Sequence, residues 1–119
     1  MADYVKVFKD DNYVSLCFGS TDEKPHAIGE KMGEICADAY MNGYNWEAFF
    51  NYYLAENAPD LLDGLNSDPE ADAYFASYEL NDENVKKAER FAEIIISLIE
   101  NEEELYRIVR ENGDEIEWD

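Results

Sequence analysis

The chain has 119 residues, 46% of them hydrophobic and 14% aromatic, which excludes wholesale disorder and leaves enough apolar material for one packed core. Its 29 acids against 9 bases give a net charge of −20. That balance argues against direct binding to nucleic acid, whose affinity comes largely from Lys and Arg on phosphates, and against docking on anionic membrane. The length fits one domain over residues 1–119.

The start, "MADYVKVFKDD", shows no basic segment followed by an apolar one, so a cytoplasmic protein is expected. Residues 3–8 and 13–18 are rich in β-branched and aromatic types. "KDDN" between them supplies turn chemistry, so a hairpin is predicted. "GSTDEKP" reads as a loop. A helical pattern then runs from Ala27 to Met41, carried by Ile28, Met32, Ile35, Cys36 and Ala39, although Gly29 and Gly33 weaken it. Asn42-Gly43 reads as its stop.

Residues 42–57, "NGYNWEAFFNYYLAEN", concentrate aromatic side chains. With Asn45 as N-cap, Trp46, Phe49, Phe50, Tyr53 and Leu54 recur at helical spacing and predict a buried stripe rather than a cofactor box. Tyr44 and Tyr52 fall off that stripe and are of a type enriched at interfaces. "APDLLDGL" reads as a short helical turn and "SDPE" as a turn held by Pro69. Residues 72–80 alternate like a third strand. A helix capped by Asn81 or Asp82 runs to about Asn101, and another covers about 102–111, ended by Gly113. Trp118 is expected to dock back. The predicted order is β-β-α-α-β-α-α, an α+β fold with a largely antiparallel three-stranded sheet and about four helices.

No catalytic or metal constellation stands out. Asp68, Glu70, Asp72 and Glu79 match four positions of a calcium loop, but Ala73 occupies the place where glycine makes the sharp turn. The reading preferred is a turn followed by a strand. Cys17 and Cys36 have no metal spacing and read as reduced thiols, and neither is tied by sequence to His26. No nucleotide-binding or zinc signature occurs, so no catalytic residue, cofactor or metal is assigned. Charge still organises the surface. Between Lys31 and Lys86 there is no base and there are twelve acids, and from Glu100 onward nine acids meet two arginines.

"NGYNWEAFFNYYL", "PDLL" and "SDPEADAYFASY", in this order and spacing, resemble the bacterial immunity protein family numbered fifty-one. The matching motifs fall on Gly43, Tyr44, Asn45, Trp46 and Glu47, on Pro59 and Leu61, and on Asp68, Pro69, Glu70 and Ala71. Asp72 departs from the small residue expected there. The resemblance covers roughly residues 42–78. It implies a small, cytoplasmic, non-enzymatic protein of a polymorphic toxin or contact-dependent inhibition system, which binds and blocks a cognate toxin domain. It also implies that Trp46 anchors the core, Asn45 caps the helix and Glu47 closes its start. An acidic inhibitor would suit a basic, nuclease-like toxin. The residues selected as partner contacts are Tyr44, Tyr52, Asp60, Asp63, Asp68, Glu70 and Asp72. Two readings compete with this one: a carboxylate-dependent hydrolase, and an acidic DNA mimic that blocks a nucleic-acid-binding protein. Oligomeric state is left open.

Overall fold

The computed structural model describes residues 3–119; Met1 and Ala2, where the stretch read for a leader begins, lie outside them. The elements are β1 (Val5–Lys9), β2 (Tyr13–Phe18), α1 (Glu23–Ile35), α2 (Gly43–Asn57), a 3-10 turn (Pro59–Leu62), β3 (Asn66–Ser67), β4 (Tyr74–Glu79), α3 (Asp82–Glu100), α4 (Glu102–Asn112) and a second 3-10 turn (Gly113–Glu115). The fold is α+β, as predicted. The sheet is antiparallel throughout, in the order β1-β2-β4-β3.

The β1–β2 hairpin closes on Asp10. Its carboxylate accepts from the backbone N–H groups of Asn12 (2.7 Å) and Tyr13 (2.8 Å). This side-chain imitation of a turn is the common use of Asp between strands. Register then follows from alternation, because a slip by one residue would turn every side chain to the opposite face. Val14, Leu16 and Phe18 of β2 are buried beside their partners Tyr78, Ala76 and Tyr74 of β4.

The sheet has four strands rather than the predicted three. β3 is the addition: Asn66 and Ser67 pair with Ser77 and Ala76. Asn and Ser are poor strand formers and a two-residue strand has no readable period, so only the neighbouring β4 makes this segment a strand.

The first helix also departs from prediction. It begins at Glu23 and ends at Ile35, not from Ala27 to Met41. Pro25 lies in its first turn, where a missing N–H leaves no helical bond unmade. Residues 36–42 leave the helix and fold back across it. A Cβ on Gly29 would sit 2.9 Å from the Met41 Cβ, so this glycine serves a close crossing.

The cap of α2 is shifted as well. Asn42, not Asn45, is the N-cap: its Oδ1 accepts from the Asn45 N–H at 2.9 Å. Gly43 opens α2 instead of ending α1. A Cβ there would overlap the carbonyl oxygens of Glu70 and Ala73, so the helix start is pressed onto the turn before β4. Asn45 is nevertheless buried and bonded. Its Nδ2 donates to the Tyr40 carbonyl at 2.7 Å, and its Oδ1 accepts from the Asp119 N–H at 2.6 Å.

The aromatic density of α2 is core. Trp46, Phe49, Phe50 and Leu54 are at most 1% exposed, and Tyr53 is half-buried. Phe18 meets Trp46 edge-on with ring centres 4.9 Å apart, and Phe50 meets Tyr74 at 5.1 Å and Phe91 at 5.7 Å. Edge-to-face geometry adds a modest gain, about 1 kcal/mol per pair, to the burial itself. The helix α3 lies along β1, β2 and β4, burying Ala88, Phe91, Ala92, Ile95, Leu98 and Ile99. The helix α4 packs on α1 and α3 through Leu105, Tyr106, Ile108 and Val109. Trp118 docks back as expected, its Nε1 donating to the Gly113 carbonyl at 3.0 Å.

Candidate partner-binding surface

The helices packed on the sheet lie on the face that carries Val14, Leu16 and Phe18. Its other face carries Lys6 and Phe8 of β1, Tyr13, Ser15 and Cys17 of β2, and Phe75, Ser77 and Glu79 of β4, all exposed or half-buried. The register sets Phe8, Ser15, Ser77 and Asn66 in one row across the strands. It sets Lys6, Cys17 and Phe75 in the next, and Tyr13 beside Glu79. Phe8 remains 51% exposed and Tyr13 45%, an unusual outlay of aromatic surface on open strands. A shallow groove of about 190 Å³ runs between Phe8 and Phe75, floored by Ser15 and Ser77 and edged by Asn66 and Asp68.

The electrostatics of this face are negative at the margins. Burial pushes the Cys17 thiol up; Lys6 opposes that, and Asp22 and Asp72 add to it. Asp22, Asp68, Asp72 and Glu79 therefore stand on or around a face whose strands present one cation, Lys6.

The residues selected from sequence divide among four places. Asp68, Glu70 and Asp72 are exposed together on the connection from β3 to β4, where Glu70 bridges to Ala73 and the Asp68 N–H donates to the Phe75 carbonyl at 2.8 Å. The stretch is a turn followed by a strand. Asp60 and Asp63 lie beside α3. Asp60 is already engaged by Arg90 at 2.7 Å, which holds its carboxyl below the usual range, and the Asp63 carbonyl accepts from Lys87 at 3.2 Å. Tyr44 is exposed in the first turn of α2. Tyr52 turns toward α4 and donates to Glu115 at 3.3 Å. It lines a separate groove with Glu56, Glu104 and Arg107.

Sequence reasoning did not single out Phe8, Tyr13, Ser15, Phe75 or Ser77. The signal was present in the alternation of the strands. It would have required knowing which face the helices leave bare, and alternation does not say.

His26, the two cysteines and Glu47 are the remaining groups that could bear on catalysis. His26 Nε2 lies 2.8 Å from Glu30 Oε1 on α1, lining a cleft of about 460 Å³ with Ser20, Tyr40 and Met41. Cys36 packs beside Gly113, and Cys17 is on the open sheet face. Glu47 has its carboxyl raised, first by burial and then by Asp119. Among the described residues no group of three or more His, Cys, Asp or Glu is arranged to hold a metal, and no helix is long and apolar enough to cross a membrane.

With the geometry in place, comparison with known proteins settles the family. A family model described as Immunity protein 51 matches residues 5–114, from the first residue of β1 into the turn after α4. The chain belongs to the Immunity protein 51 family. The match extends well beyond the α2-to-β4 segment that carries the resemblance in sequence. Comparison with curated proteins and with solved structures returns no match. Membership of an immunity protein family points to neutralisation of a toxin by a bound partner, and such families are generally non-catalytic.

Proposed function

We propose that this member of the Immunity protein 51 family is a small acidic inhibitor that neutralises one cognate toxin domain in the cytoplasm by forming a tight complex. The toxin is basic and nuclease-like, and belongs to a polymorphic or contact-dependent inhibition system. The observation that carries this reading, beyond family membership, is the surplus of free carboxylates. Among the described residues, Lys and Arg pair with only Asp60, Glu100, Glu104 and Glu111, and His26 meets Glu30, out of 29 acids in the chain. A surface with so much unneutralised charge repels itself and attracts a cationic partner over several ångströms. A nuclease must present Lys and Arg to phosphates, and an acidic inhibitor competes for the same groups.

Within the selected residues, geometry favours Asp68, Glu70 and Asp72, which share one connection and have no ion-pair partner among the described residues. Tyr44 and Asp63 are exposed and accessible. Asp60 and Tyr52 contribute only by exchanging Arg90 and Glu115 for groups of the toxin.

The test is co-expression with the C-terminal domain of the large secreted protein encoded beside this chain, scored by survival and co-purification. Rescue with a stable complex is expected. An active toxin that is neither neutralised nor bound would refute the pairing. Association is expected to slow as salt rises, because steering between exposed charges is screened over about 8 Å at physiological ionic strength.

A further inference from the structure

We propose that the open face of the sheet is the surface that meets the toxin, and that the groove between Phe8 and Phe75 receives an arginine side chain from it. This rests on the neutralisation reading for the identity of the partner, though not for the chemistry of the groove.

The argument begins with spacing. β1 and β4 flank β2, so two strand separations, about 10 Å, divide them. Phe8 and Phe75 rise from these two strands on the same face, offset by one same-face row, about 7 Å along the strand. A flat group held between two rings needs about 3.5–4 Å on each side. A groove of about 190 Å³ takes one side chain and not a helix about 10–12 Å across. The groove is open along the strands and bounded by polar groups below and beside the rings. Ser15 and Ser77 face each other across β2 and β4, Asn66 extends that row, and Asp68 stands at the margin.

Guanidinium fits this combination better than other side chains. It is planar, stacks on aromatic faces and carries donors for hydroxyl, amide and carboxylate acceptors in one plane. A lysine ammonium would satisfy Asp68 but leave the rings poorly used. An apolar side chain would cover the rings but leave Asp68 and the Ser hydroxyls without partners. The whole face has the arrangement of a protein interface. Half-buried Ser15, Cys17, Phe75 and Ser77 lie on the inner strands β2 and β4, exposed Phe8 flanks them on β1, and Asp68, Asp72 and Glu79 lie at the edge.

Charge decides between a cationic partner and a second copy of this chain. Two copies would bring two bodies of net charge −20 face to face, with Asp68, Asp72 and Glu79 of each near the contact. A partner that supplies arginine relieves the same charges.

Two measurements test the proposal together. The first uses the complex with the neighbouring toxin domain. Phe8→Ala and Asp68→Asn are each expected to weaken affinity by about tenfold or more, the loss typical of a central anchor, while Glu103→Gln on α4 leaves it unchanged. Phe8 and Asp68 are exposed, so both variants are expected to fold, and circular dichroism checks this. The second uses the chain alone, titrated with a hexa-arginine peptide and, at the same ionic strength, with hexa-lysine. Amide resonances of Phe8, Ser15, Phe75 and Ser77 are expected to shift with arginine, less with lysine, and little in Phe8→Ala.

A toxin bound equally well by both variants would overturn the proposal. So would peptide shifts that map elsewhere, or a dimer that Phe8→Ala dissolves. If the peptide maps to the groove and the neighbouring toxin does not bind, the pairing fails and the groove stands.

Discussion

The two faces of the sheet are made by the same strands, yet they have opposite fates. On the helix side, Val14, Leu16, Phe18, Tyr74, Ala76 and Tyr78 are at most 3% exposed. On the other side, Tyr13, Ser15, Cys17, Phe75, Ser77 and Glu79 alternate with them and remain in reach of solvent. Backbone pairing is common to both faces, so the difference lies in what covers them. α2 and α3 press one face into a core of interlocking rings, while the other keeps its aromatics only half covered. Aromatic content alone therefore does not separate core from open surface; the same residue type is fully buried at Phe18 and half exposed at Phe8.

The sharpest break of this comparison is on the helix side. Trp46→Ala removes a ring with no exposure that packs on Phe18, Phe49 and Phe50. A loss of about 3–5 kcal/mol is expected in urea unfolding. Phe8→Ala on the open face is expected to change stability by less than about 0.5 kcal/mol, the range for exposed substitutions, while weakening the toxin complex. Equal stability losses for the two variants would erase the distinction between the faces.

Gly43→Ala probes how α2 reaches the sheet. Its Cβ meets two carbonyl oxygens, so an overpacking cost of about 1–3 kcal/mol is expected, read as a lower unfolding midpoint. Asn42→Ala removes the cap that Asn45 was expected to provide and is expected to cost about 1 kcal/mol. If Asn42→Ala is silent in unfolding, the cap assignment is wrong.

The smallest effects are electrostatic, and their signs differ. The carboxyl of Glu47 is raised above its usual 4.5 by burial and by Asp119. An acid with a raised folded pKa favours the folded state when protonated, and that contribution is lost as pH rises through the folded value. Glu47→Gln is therefore expected to stabilise at neutral pH by about a few tenths of a kcal/mol after solvent screening, with the gain vanishing below about pH 4.5. Asp60 has the opposite sign, since Arg90 lowers its carboxyl. Its contribution is present above the ordinary value of 3.8 and is lost as pH falls through the lowered one. Asp60→Asn is expected to flatten the acid limb of the stability curve.

Much of the fold was legible in the residues. The hairpin, the aromatic stripe of α2, the strand at 74–79 and the last two helices follow from periods of two and 3.6 strong enough to need no context. Other features were not legible, for a common reason. Asn42 and Asn45 are equally good caps by type, and only the turn before β4, pressing on Gly43, selects the first. Gly29 looked like a flaw in a helix until residues 36–42 crossed it. Asn66 and Ser67 became a strand because Ser77 and Ala76 offered an edge. The acids selected for contact were adjacent in sequence, but Arg90, 30 residues from Asp60, neutralises one of them.

What the sequence determined by itself was local and cumulative: the α+β class, the buried stripe, the charge of −20 and the resemblance that the family match extended to residues 5–114. These depend on residue type and on spacing along the chain. Tertiary structure alone decided which sheet face stays bare, which carboxylates keep their charge unpaired, and that Phe8 and Phe75 flank one groove. Those depend on which distant segments meet, and no period along the chain encodes that.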